Sequence, residues 1–82
     1  MVQYDVVENE YNDFGRLSTR THLRQVSTKE EAITEMNDQF DRHYFGVYSK
    51  VERIMSGDIP IIRIHADRGV RYTDITYVIF DY

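Results

Sequence analysis

The side chains able to do chemistry in this 82-residue chain are few and scattered. Its three histidines, His22, His43 and His65, stand more than twenty residues apart. None has a second histidine or a cysteine at the short offsets that bring two ligands to one metal ion. Carboxylates lie two residues away in Asp41-Arg42-His43 and His65-Ala66-Asp67, a coincidence expected where fourteen residues are acidic. Cysteine is absent, and Ser18, Ser27, Ser49 and Ser56 sit in strand, cap or turn contexts without a nucleophile elbow. Neither GxGxxG nor a phosphate-binding P-loop occurs among the four glycines. The chain is therefore expected to be no enzyme, with no metal and no cofactor. Catalysis would require a pocket gathering at least one histidine and one carboxylate, and one small core offers little wall for it.

Binding chemistry is better represented. Residues 16–24 read RLSTRTHLR, three arginines four apart with no carboxylate between them. On an extended backbone, Arg16, Arg20 and Arg24 share a parity with Ser18 and His22 and follow each other at about 13 Å. A second basic group, Arg63, Arg68 and Arg71, occurs with His65 in the last third. Arginine outnumbers lysine eight to two, and its planar guanidinium suits bidentate contact with carboxylate or phosphate. Arg16, Arg20, His22 and Arg24 are the first partner-binding candidates, and Arg63, Arg68 and Arg71 the second. Tyr48 and Tyr72 are candidate aromatic anchors. The plain alternative is an edge strand that carries charge to prevent pairing with another molecule.

The elements that must carry these residues follow from hydrophobic period. Val2, Tyr4 and Val6 alternate with polar residues, which predicts a first strand, and Asn9 to Gly15 reads as a loop. Leu17, Thr19, Thr21 and Leu23 alternate with the basic residues and predict a second strand over 16–25; no helical stripe accommodates leucines six apart. Ser27 with Glu30, or Thr28 with Glu31, forms a capping box ahead of Ile33, Met36, Phe40 and Tyr44. That predicts a helix over 28–44, closed by Gly46, with Glu31, Glu35 and Asp38 away from the apolar stripe. Residues 47–55 fit strand or helix, and strand is preferred. A turn at 56–58, a strand at 59–65 starting beside Pro60, a hairpin tip at 67–69 and a final strand complete the chain. The last strand is apolar on both parities, as suits a central strand covered on both faces.

The expectation is an α+β fold: a single domain over residues 1–82, β-β-α-β-β-β, with one helix packed on a mixed sheet in a β-grasp-like layout. Apolar residues at 41% and eleven aromatics are globular proportions. Net charge is −4, which argues mildly against general affinity for nucleic acid. Acids fill residues 1–15 and 27–41 while bases dominate 16–26 and 42–71, a pattern of faces of opposite sign. The longest apolar runs are too short to span a bilayer, so no membrane partner is expected. Absence of cysteine and of a signal-like amino terminus favours a cytoplasmic protein.

The run TKEEAITEMNDQF from Thr28, followed by VYSKVERI, resembles a helix and strand of small phage-encoded proteins that bind and inhibit host enzymes, bacterial RNA polymerase among them. The agreeing positions are Thr28, Glu31, Ala32, Ile33, Gln39 and Phe40. The resemblance implies a phage or mobile-element regulator or inhibitor, and no site residue is carried over from it. The functional expectation is a small non-catalytic module for protein–protein interaction; the alternative is a nucleic-acid-binding domain using the arginine-rich strand face. A homo-oligomer is compatible with either.

Overall fold

The computed structural model describes residues 1–46 and 50–81. β1 (Val2–Tyr11) and β2 (Leu17–Val26) form a hairpin; α1 (Lys29–His43) follows; β3 (Lys50–Ser56), β4 (Ile59–His65) and β5 (Tyr72–Asp81) form a meander. The element order is the expected β-β-α-β-β-β. The strands make one sheet in the order β2-β1-β5-β4-β3, which puts β5 at the centre. Of the ambiguous stretch 47–55, Lys50 onward is strand, while Val47 to Ser49, Tyr48 among them, lie outside the described residues.

Every neighbouring pair is antiparallel, so the mixed sheet of the β-grasp-like expectation is corrected. The reason lies in the connections. The helix returns the chain so that β3 runs in the direction of β2, and two tight hairpins then reverse it twice. β5 therefore shares the direction of β3 and opposes β1. A fifteen-residue helix is about 22 Å long, enough to cross diagonally the roughly 19 Å between the outer strands of a five-stranded sheet.

Local signals explain the helix. Thr28 is its N-cap: Oγ1 accepts the Glu31 N–H at 3.1 Å and donates to Glu31 Oε1 at 3.0 Å, so the second of the two capping pairs is the one used. Gly46 lies just beyond the end with φ of +79°, the left-handed conformation that a glycine adopts without strain. Ala32, Met36 and Phe40 point from the helix into a core completed by Val6, Val26, Ile62, Ile64, Ile75 and Tyr77.

Three further expectations change. β1 continues through Asn9 to Tyr11, leaving only residues 12–16 as loop. Glu35 is not on the solvent side of the helix but 5% exposed. The final strand is central, yet α1 packs on one face of the sheet only, and no other element among the described residues covers the opposite face. Pro60 fits where it stands because the ladder between β4 and β5 begins only at Ile62, so its missing N–H leaves no gap in that pairing.

Met36 is almost fully buried at the centre of the helix–sheet contact, whereas Ile33 is partly buried. Met36→Ala is expected to cost about 2–5 kcal/mol, and Ile33→Ala distinctly less. Urea unfolding checks this as a lowered midpoint at an unchanged slope.

Candidate functional site

Two irregularities in β2 decide where its basic side chains go. Val6 pairs with Arg24 and Val7 with His22, so Leu23 is an extra residue; Glu10 pairs with Thr19 and Tyr11 with Leu17, so Ser18 is another. Each bulge shifts the inward–outward alternation. The even-numbered residues from 16 to 24 therefore do not project together. Arg24 turns to the helix side and donates to Glu35 Oε1 at 2.9 Å, while Leu23 packs against the core beside it. His22 and Arg20 lie on the open face. Arg16 precedes the strand, its backbone held by the Asn12 side chain and main chain.

The open face has a regular order. Cross-strand partners Arg20, Asn9, Asp74, Arg63 and Glu52 form one row, and Leu17, Tyr11, Tyr72, His65 and Lys50 the next towards the hairpin tips. The central strands contribute Asp5, Asn9 and Asp74, all buried although no helix or further sheet among the described residues packs above them. Side chains from the strands on either side cover them. His22 Nδ1 bonds Asp5 Oδ2, and Arg20 Nε donates to Asn9 Oδ1 at 2.8 Å. Arg63 meets Asp74 with two parallel bonds, 2.9 and 3.0 Å. The same guanidinium lies 4.3 Å over the Tyr72 ring, which also stacks on Tyr11 at 4.6 Å between centroids and meets the His65 ring at 6.2 Å.

Electrostatics follow the geometry. The Asp74 hydrogen bond raises the Arg63 pKa against a smaller opposing effect of burial. Glu52 receives a hydrogen bond from His65 at 2.6 Å and feels the charge of Lys50, which together lower its carboxyl. Burial pushes Glu35 up, but hydrogen bonds from Gln39 and Arg24 and the charges of Arg24 and Arg42 prevail and hold it below its ordinary value of 4.5. Burial and a hydrogen bond to Glu8 both raise the Tyr44 hydroxyl.

The tips of the β1–β2 and β4–β5 hairpins touch. A side chain at Gly69 would meet Asp13 Oδ1 at 2.9 Å, and that glycine has φ of +78°, so close approach and conformation both call for glycine. Arg71 Nε lies 3.8 Å from the same Asp13 oxygen. The contact thus unites Arg16, Arg68 and Arg71, which the sequence places in two separate clusters. Phe14 and Val70 project beside them, 86% and 64% exposed. Among the described residues the Arg16 and Arg68 side chains have no carboxylate partner. Sequence reasoning missed Phe14 and Val70; an apolar residue within a turn-forming stretch was the available signal.

Next to the tips, an open cleft of about 410 Å³ lies between the end of α1 and the β4–β5 loop, lined by Glu10, His43, Tyr44, His65, Asp67 and Arg71 among others. It gathers histidine with carboxylate, the minimum set out above for an enzyme. Among the described residues, however, no hydrogen bond joins His43 to a carboxylate. No three His, Asp or Glu side chains among those residues are grouped to hold a metal ion, and no helix is long and apolar enough to cross a membrane. No protein family, curated protein or solved structure matches the chain.

Because Glu35 has a folded-state pKa below its ordinary value, its stabilising contribution is complete above pH 4.5 and is lost as pH falls through the lower folded value. Glu35→Gln is expected to be less stable than wild type at pH 7 and to lose less on acidification. Urea midpoints of both proteins at pH 7 and pH 3 check the sign.

Proposed function

We propose that this chain is a small non-catalytic binding module that docks its joined hairpin tips on an acidic patch of a protein partner, as a regulator or inhibitor does. The observation that carries the reading is the meeting of the two hairpin tips at Asp13 and Gly69, which brings together the loops that carry exposed Phe14, Arg16 and Arg68, with Arg71 held only loosely by Asp13. Arginine and aromatic residues dominate binding energy at protein interfaces, and an unpaired guanidinium steers encounter with an acidic surface. The resemblance to phage-encoded inhibitors adds a target class, a larger host enzyme in the cytoplasm.

The remaining candidates take other roles in this reading. Arg24 and Arg63 hold carboxylates of the fold itself, and Arg20 and His22 cover Asn9 and Asp5. Nucleic acid is the weaker alternative. Tyr72 lies between Tyr11 and Arg63, which closes its ring to base stacking, and a net charge of −4 disfavours a polyanion.

The combined change Phe14→Ala, Arg16→Glu and Arg68→Glu touches no buried contact. It is expected to leave the circular dichroism spectrum unchanged and to abolish co-purification of the wild-type chain's partner from its native cell. Retention of that partner overturns the reading. So does binding of single-stranded RNA or DNA that falls steeply with salt and is lost on the same change.

A further inference from the structure

The open face has a symmetry that the tips do not use. β5 is the third of five strands, so a two-fold axis along it, lying between two facing sheets, superposes β2 on β3 and β1 on β4 of a second copy. We infer that two copies of this chain pack sheet to sheet through their open faces about that axis.

The side chains match under this operation. In the charged row, Arg20 comes opposite the second copy's Glu52, and the reciprocal contact follows by symmetry, while Asn9 stays buried beneath Arg20. Asp74 meets its own mate, but each is already neutralised by the two bonds from Arg63. One row further from the tips, Ile61 comes opposite the position of Val7, itself already fully buried in the single chain, and His22 opposite Ile54, with Thr76 near the axis and Val78 beyond it. Ile54, Ile61, Thr76 and Val78 are half-buried in the single chain, the state of side chains with apolar surface still to cover.

Size agrees as well. Five strands about 4.8 Å apart, seven to ten residues each and so about 23–33 Å long, give a face of roughly 550–800 Å². A standard protein interface buries about 800 Å² on each partner, and sheets facing each other at about 10 Å interdigitate their side chains. The hairpin tips lie at the end of the sheet, outside this contact, so a dimer presents them twice.

Sedimentation equilibrium of the full chain at about 100 µM, roughly −5.5 kcal/mol of association free energy at half-occupancy, is expected to give a dimer. Arg20→Glu and Glu52→Arg reverse charges that the axis brings together. Each single change is expected to weaken the dimer about fivefold to tenfold, since two symmetric pairs are lost. The double variant Arg20→Glu with Glu52→Arg is expected to regain wild-type affinity. Phe14→Ala with Arg16→Glu and Arg68→Glu is expected to dimerise normally, which separates this inference from the role assigned to the tips. A monomeric wild type overturns the inference, and so does a dimer that is indifferent to both single changes or is not restored in the double variant.

Discussion

One helix can cover one face of a five-stranded sheet and no more. A helix is about 10–12 Å across with its side chains, while the sheet is about 24 Å wide, so even the covered face is served by a diagonal crossing. The other face must be stable in water with its central strands still shielded by their neighbours. In this chain the problem is met with short polar side chains at the centre, Asp5, Asn9 and Asp74, and long basic ones on the flanking strands that reach inward over them. A buried carboxylate without a partner is severely destabilising. Among the described residues no buried side-chain nitrogen or oxygen lacks a hydrogen bond. The open face is thus closed by polar pairs around Asn9 and Asp74, with the Asp5–His22 pair set among apolar side chains further from the tips.

Much of this was legible from local pattern. The helix was announced by its capping residues and by Ile33, Met36 and Phe40, because an apolar period of three and four has few other causes. β1 and β2 were visible in alternation and β5 in a run apolar on both parities, and a chain of hairpins after the helix was implied by Gly57 and by Asp67-Arg68-Gly69. Strand direction was equally contained in those hairpins, since two reversals after a returning helix force an antiparallel sheet. The β-grasp analogy obscured that consequence.

What the sequence concealed is the fate of its charges. Bulges at Leu23 and Ser18 leave no signature in residue type, yet they decide that Arg24 meets Glu35 while His22 meets Asp5. Glu35 reads as a solvated helix acid until its partner from β2 is known. The contact between Asp13 and Gly69 joins loops more than fifty residues apart, and no short-range spacing encodes such a meeting. The comb of arginines is therefore largely an edge strand serving its own fold. At the tips, no carboxylate among the described residues pairs with the side chain of Arg16 or Arg68.

The claim on which the rest depends is that bases from neighbouring strands, laid over central-strand acids, hold the open face, and the Arg63–Asp74 pair is its best-defined member. A double-mutant cycle on Arg63→Met and Asp74→Leu, followed by urea unfolding at pH 7, measures the coupling directly. The account predicts about 1–3 kcal/mol of favourable interaction, with each single variant less stable than the double variant would suggest by simple addition. Additive effects, with a coupling of no more than about 0.3 kcal/mol, would contradict it.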